Sequence, residues 1–486
     1  MQWRRAALLR GEQVSRLSES VADVMALLRE APLGRESVAE ELLERTSARR
    51  RLDLSDLSPS EQAAFLARRA QDLRPSEAAL EERLREAARR GRPFVAKFGI
   101  DPTGAEVHLG HAVPMLVLSR LQRMGHEVVF IVGDFTAKIG DPSGLSEERP
   151  ALTDEEIAGN LATYQAQVEP FFDFQRAKLR RNSEWLNDVR LARVIEVTSR
   201  VPASMPLQRD DFRRRIEGGR GLSLAELLYS VLMALDSVEL ACDVEVGGID
   251  QFLNLQMCRH VMAVCGLPEE LVVVTPLIEG TDGTGAKMSK SKANYVPLVA
   301  PPEEIFGRLM AIPDRLMFPY FQALTEWADE ELALLEDRLA TGSAHPAELK
   351  RLLAGDVTAA LCGTSAAMAA RRAFDAQFSR SRFSLLEHLP VVDDVELTLA
   401  AALRRLSFVS SNSEASRLAT QRGLRLVVEE VGDRQREVVL GPEAVHVRLA
   451  ELVGELHAEE GGAVFLRVGR RLARIAPNEP GGMVAG

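Results

Sequence analysis

The chain has 486 residues, 46% hydrophobic and 27% charged, with a formal net charge of −11, which is expected of a soluble globular protein of about two to four domains. The acidic balance argues against an indiscriminate nucleic-acid coat but leaves room for one local basic face. No apolar run approaches the roughly 18 residues that span a bilayer, the basic start lacks an apolar signal stretch, and the four cysteines (Cys242, Cys258, Cys265, Cys362) show no paired short spacing, so neither membrane span, secretory signal, disulfide frame nor zinc site is expected.

Residues 1–58 are rich in Arg, Glu and Leu with helical periodicity, and read as helices joined by polar turns, an extension expected to pack on the surface or stay partly mobile. Helices from about 59 lead to the turn Arg89-Arg90-Gly91-Arg92-Pro93. Phe94–Ile100 reads as a buried strand broken by Asp101-Pro102-Thr103-Gly104. A helix then begins near Gly110 and stops at Gly125, and His126–Gly133 supplies the next strand. Strand, helix, strand with short connections is a parallel α/β unit, whose functional edge lies at the strand carboxyl ends. More helices run to about 240, followed by short strands around Val244-Glu-Val and Leu271-Val-Val-Val-Thr. Pro301-Pro302 opens a helical stretch to about 390, Val391-Val-Asp-Asp-Val reads as a linker, and 396–478 reads as a small α+β module before a tail at 479–486. The resulting division is a helical extension at 1–58, an α/β domain at 59–300, a helical domain at 301–395 and the terminal module.

Two short motifs carry the chemistry. His108-Leu109-Gly110-His111 places two imidazoles three residues apart at a helix start, on one face, where neutral donors and the helix terminus suit a polyphosphate. Gly110 lets a ring or phosphate approach the backbone. Two metal ligands would share this spacing, but no third ligand is spaced for it; two core histidines are the other rival. Lys287-Met288-Ser289-Lys290-Ser291 follows a Gly-rich approach, Gly280-Thr-Asp-Gly-Thr-Gly-Ala, and can close over a leaving pyrophosphate; a solvated charge run is the bland alternative. The pair, in this order, suggests an enzyme that activates a carboxylate with ATP. In-line displacement at the α-phosphorus needs positioning and charge stabilisation more than a base, so no catalytic triad is required.

Tyr229, Met233 and Asp236 fall on one helix face, where a phenol and a carboxylate can read a polar ligand group; a core Tyr with a surface Asp is the alternative. Val246-Gly247-Gly248-Ile249-Asp250-Gln251 ends a strand with two glycines and two polar groups, which suits close approach to a nucleotide or an ordinary turn.

With Gly140-Asp141-Pro142-Ser143-Gly144, Arg180-Arg-Asn-Ser-Glu-Trp185 and Arg209-Asp-Asp-Phe212, these motifs form a collinear series over about 60–478 that resembles the bacterial tyrosyl-tRNA synthetases, class I aminoacyl-tRNA ligases. The resemblance implies a Rossmann-like parallel-sheet catalytic domain, an α-helical anticodon-side domain and a small α+β RNA-binding-like C-terminal module. It implies ATP as substrate, with Mg2+ accompanying it and no dedicated metal site, tRNA and tyrosine as partners, a homodimer, and a cytoplasmic location. Lys97, Asp101, Asp141, Tyr229, Met233, Asp236 and Gln251 would line the amino-acid pocket. Thr103, His108, Gly110 and His111 would hold the ATP phosphates, with Gly248 and Asp250 at the ribose. Lys287, Ser289, Lys290 and Arg149 would face the departing pyrophosphate.

The chain departs from the family pattern at several places. Met233 replaces the usual Gln, Leu145 a Lys or Arg, Leu235 an aromatic and Ser416 an Arg, and Leu424–Gly432 is longer and more acidic than the usual basic turn. A second reading is therefore a paralogous enzyme that activates a tyrosine analogue or serves a specialised, inhibitor-resistant role. A non-catalytic RNA-binding protein is the third, against which the survival of both phosphate motifs argues.

Overall fold

The computed structural model describes residues 15–143, 152–219, 221–378, 389–421, 423–429, 435–454, 463–469 and 471–475. The chain divides into two compact units, 1–367 and 368–486.

The first unit is built on a six-stranded sheet: β1 (Asp72–Arg74), β2 (Val95–Ile100), β3 (Glu127–Val132), β4 (Lys178–Arg181), β5 (Val244–Gly248) and β6 (Leu271–Thr275), in the order β1-β6-β5-β2-β3-β4. Neighbours are parallel from β6 to β4, and only β1 runs antiparallel, at the edge. Strands covered on both faces must be apolar nearly throughout, and β3 (EVVFIV) and β6 (LVVVT) obey. Chain order reverses between β2 and β5, so their carboxyl ends open the crevice in which ligands of such sheets bind.

Four helices matter most for the site and its support: α1 (Arg16–Glu30), α2 (Glu36–Arg49), α3 (Leu109–Arg123) and α4 (Leu224–Leu240). α3 starts at His108, whose ring caps it, and runs beside β2 and β3. α4 begins with a reciprocal cap between Ser223 and Glu226 and packs on α5 (Phe252–Val264). The helical stretch after the sheet includes α6 (Asp329–Ala340) and α7 (Pro346–Cys362).

The described part of the N-terminal extension is not a loose surface addition. α1 packs on α6, and α2 packs on α7. Arg49 is fully buried, and its guanidinium makes paired 2.8 Å hydrogen bonds to both oxygens of the equally buried Glu331. Glu331 also accepts from the Ala328 amide, capping α6. The far end of α3 joins this cluster. Arg120 and Arg123 both contact Glu326, at 3.0 and 3.1 Å, and Arg123 donates to the Arg49 carbonyl at 2.7 Å. Although burial alone would raise the Glu326 pKa, Arg120, Arg123 and Arg50 hold it down to about 2. The helix that begins with the two histidines is thus clamped at its other end by the extension.

In the second unit β7 (Val391–Val392), β8 (Leu424–Glu429), β9 (Gln435–Val439), β10 (Ala463–Val468) and β11 (Arg471–Ile475) form a sheet in the order β7-β11-β10-β8-β9. Leu399, Leu403, Leu426, Val428, Val445 and Leu466 lie in its core. The expected linker at Val391 is corrected here: Val391–Val392 is a strand, paired in parallel with Arg474 and Ile475.

Arg49→Met would strand the Glu331 carboxylate in the interior. Such a change should lower unfolding free energy by about 3–5 kcal/mol, whereas Arg49→Met with Glu331→Leu, which removes both charges, should be much milder. Denaturant unfolding followed by circular dichroism measures both. A single variant as stable as the wild type would show that the ion pair does not anchor the extension.

Candidate active site

One end of the candidate site lies at the start of α3. The His108 ring accepts the Gly110 amide on Nδ1 at 3.1 Å, and the His111 ring accepts the His108 amide on its own Nδ1 at 3.3 Å. With both Nδ1 atoms acting as acceptors, each neutral ring carries its proton on Nε2. Neutrality follows from the surroundings. Burial, then Lys290 and Lys287, bring the His108 pKa down to about 4; burial, His108 and the same lysines push His111 well below its ordinary value. The ring centroids are 3.9 Å apart. A Cβ on Gly110 would lie 2.9 Å from the His108 ring, so glycine is required for this cap.

The lysine loop is stitched to the same place. Leu109 donates to the Val296 carbonyl at 3.0 Å and Leu298 to that of Val107 at 2.9 Å. Met288 is buried as the loop's anchor, and the Ser289 amide donates to the Asn294 side chain at 2.9 Å. Lys290 Nζ lies 2.9 Å from where a Cβ on Gly104 would stand, which brings the lysine motif over the turn after β2. Lys287 pairs with Asp250 at 2.9 Å, both partly exposed. Thr103 is exposed in that turn.

The opposite end is a buried polar network. Asp236, 4% exposed, accepts from the Trp185 indole at 2.8 Å and from Asn182 at 3.4 Å. Burial raises its pKa to about 7, opposed by the Lys97 ammonium and the two donors. Asn182 also donates to Thr136 Oγ1 at 3.1 Å, Thr136 donates to Asp101 at 2.7 Å, and the Tyr229 hydroxyl donates to the other Asp101 oxygen at 2.8 Å. Burial, then Asp101 and Asp141, raise the Tyr229 pKa well above its ordinary value, so it stays a neutral donor. Gly133 makes the arrangement possible: a Cβ there would lie 2.0 Å from the Asp101 carboxylate.

A second chain of contacts borders it. Gln251 donates to Asp141 at 2.8 Å, Ser143 donates to Asp141 through its amide and hydroxyl, and Asn254 donates to Gln251 at 2.8 Å. Arg209, locked on Asp211, donates to Asn254 at 3.0 Å. The crevice thus carries acceptors at one end and neutral donors with lysines at the other. A ligand joining a phenol, an amine and a phosphate-linked carboxylate matches that sequence of groups.

Most residues singled out from the sequence converge on this crevice. Lys97 points its ammonium to Glu245, at 2.5 Å, with both side chains 1% exposed. Met233 is half-buried and packs against apolar clusters around Leu255 and Val261. Arg149 and Leu145 lie outside the described residues. No local pattern marks Thr136, Asn254 or Glu245; Gly133 is expected at the functional edge as the end of its strand, and Asn182, Trp185 and Arg209 sit inside motifs that signalled them without assigning a task. Among the described residues the one group with metal-ligand spacing is Glu245, Cys258 and Glu270, and there the Lys97 ammonium already occupies Glu245.

Residues 89–379 match the family model of class I tRNA synthetases (W and Y). The chain is 38% identical to the tyrosine–tRNA ligase of Moorella thermoacetica over 361 residues, 74% of this chain and 87% of that one. It is 38% identical to the tyrosine–tRNA ligase of Thermotoga maritima over 378 residues, 78% of this chain and 92% of that one. A solved C-terminally truncated mitochondrial tyrosyl-tRNA synthetase from Aspergillus nidulans, 21% identical, superposes with a TM-score of 0.54 over 71% of this chain and 99% of that one, a likeness of fold. With its crevice, motif order and relatives in agreement, the chain belongs to the class I tRNA synthetases, in the tyrosine–tRNA ligase family.

Proposed function

We propose that this chain activates tyrosine with MgATP and transfers it to tRNA. The observation that carries the reading is Asp236: a buried carboxylate held by two donors and suited to a phenol, in the same unit as the neutral imidazoles and lysines at the start of α3. The phenol hydroxyl donates to Asp236. Asp141, Gln251, Tyr229 and Asp101 surround the amino group, and Lys97 supports the pocket from behind. A tyrosine carboxylate oxygen attacks the α-phosphorus, and the new oxygen–phosphorus bond forms as the bond to pyrophosphate breaks. The Nε2–H groups of His108 and His111 donate to phosphate oxygens beside Thr103 and the Gly110 amide. Lys287 exchanges Asp250 for the departing pyrophosphate, joined by Lys290, Ser289 and Arg149, and Asp250 with Gly248 turns to the ribose. A tRNA terminal hydroxyl then attacks the adenylate carbonyl and releases AMP.

The names of the relatives support this reading over a paralogue for a tyrosine analogue or an RNA-binding protein without activity. In the second unit Arg425 and Arg467 both pair with Glu437, at 2.7 and 3.0 Å, which leaves fewer cations for phosphate and favours a weak RNA contact. Leu191, Ile195, Ile216 and Leu224 expose apolar surface that a second copy would cover in a homodimer. Among the described residues no helix is long and apolar enough to cross a membrane, and a cytoplasmic location suits the activity.

ATP–pyrophosphate exchange with a panel of amino acids, followed by charging of bulk tRNA, tests the function. Tyrosine-dependent exchange with charging is expected; exchange with another amino acid alone, or none, refutes it. Lys287→Ala and Lys290→Ala should each slow adenylate formation by roughly 100- to 1000-fold with little change in tyrosine affinity, because their charge acts mainly in the transition state. Adenylate formed at the wild-type rate in stopped-flow measurements would remove these lysines from the chemistry.

A further inference from the structure

Lys97 belongs to a buried cluster of charges whose other members, Glu245 and Glu270, take no part in the proposed reaction. Lys97 on β2 and Glu245 on β5 are direct cross-strand partners, so their side chains emerge together on the face of the sheet that meets α4 and α5. Glu270, just before β6, is 0% exposed, and one of its oxygens lies within 4.8 Å of a Glu245 oxygen and of the Cys258 sulfur. Glu270 also faces Ser237, the residue after Asp236 on α4. Two carboxylates and one ammonium thus share a site closed to water. A second uncompensated negative charge there would carry a large desolvation penalty, so one carboxyl must hold a proton. Glu245 has the ammonium at 2.5 Å, while Glu270 has no cation at hydrogen-bond distance. The proton therefore belongs on Glu270, which donates it in a hydrogen bond to Glu245.

We propose that this trio sets the charge of the phenol-reading carboxylate: Glu270 stays neutral, Glu245 fixes the Lys97 ammonium, and that ammonium keeps Asp236 ionised and able to accept the phenol near neutral pH. Lys97 and Glu270 are positioning residues, since both act through Asp236. The inference rests on the reading of Asp236 given above, but the ionisation it describes exists without substrate. The groups that face this region come from every surrounding element. They are Lys97 on β2, Glu245 on β5, Glu270 before β6, Cys242 after α4 and Cys258 on α5. Tyr229 lies on α4 with Asp236, and Trp185 and Asn182 come from the segment after β4. Of these only Lys97 brings a positive charge. It stands on the sheet face that meets α4, the helix of Asp236, and favours the ionised form of Asp236 where Glu245 opposes it; removing the pair together takes away the region's positive charge and leaves Asp236 harder to ionise.

Trp185 donates to Asp236 and reports its charge directly. Its emission, isolated as the difference from a Trp185→Phe protein, is titrated with pH in the full chain, and the tyrosine KM in exchange is followed over the same range. In the wild type both should change with a midpoint near neutrality. In Lys97→Met with Glu245→Gln, a double change that leaves no stranded charge, the midpoint should move up by at least one pH unit. At neutral pH the tyrosine KM should rise about fivefold or more, while kcat stays within about twofold. Glu270→Gln, whose amide offers Glu245 the same donor, should keep the wild-type midpoint. An unmoved midpoint in the double variant overturns the proposal. So does a midpoint that falls in Glu270→Gln, which would mean that Glu270 was charged; this variant decides the matter even where the double variant does not fold. If exchange with tyrosine is absent at every pH while the Trp185 titration behaves as described, the functional reading fails and the electrostatic one stands.

Discussion

A buried carboxylate must be compensated by donors or by a cation. That constraint organises this molecule. Asp236 is offered an indole N–H and an amide N–H, and both come from the short segment after β4. The same Asn182 reaches Thr136, which holds Asp101, which in turn orients the Tyr229 hydroxyl. A network of this kind is stabilising only when every member has its partner. This explains why its members are drawn from the ends of β2, β3 and β4 and from α4, and why Gly133 must lack a side chain.

The end of the site at the start of α3, where phosphate binding is proposed, is built on the opposite principle. Its histidines are kept neutral by burial and by the nearby lysines, and backbone amides fix their protons on the outward nitrogens. Neutral donors bind phosphate without adding charge, while the lysine loop supplies charge from a separate, partly exposed segment. The helix carrying the histidines is anchored at its far end through Arg120 and Arg123, and through them to Arg49 and Glu331. The described part of the N-terminal extension therefore belongs to the mechanical frame of the site.

The sequence was legible where physics is local. Parallel strands covered on both faces read as apolar runs, so β2, β3, β5 and β6 were visible, as were the helix start at His108 and the loop position of the lysines. Tyr229 and Asp236 were expected on one helix face and both lie buried on α4. What escaped depends on partners distant in the chain. Lys97 finds Glu245 only because β2 and β5 become neighbours across the chain reversal, and nothing near either residue announces it. Arg49 stands in an Arg/Glu-rich helix, and nothing near it announces Glu331, its partner 282 residues further on. Val391–Val392 is too short for any alternation, and its parallel partner lies more than 80 residues away.

The central claim is that Asp236 distinguishes tyrosine from phenylalanine. ATP–pyrophosphate exchange with each amino acid, in the wild type and in Asp236→Asn, measures it most directly. With the carboxylate present, phenylalanine leaves a buried charged acceptor without its donor, and its kcat/KM should be lower by at least roughly 100-fold. In Asp236→Asn that ratio should shrink sharply, chiefly through loss of activity toward tyrosine. An unchanged ratio in the variant, or equal use of both amino acids by the wild type, would contradict the account.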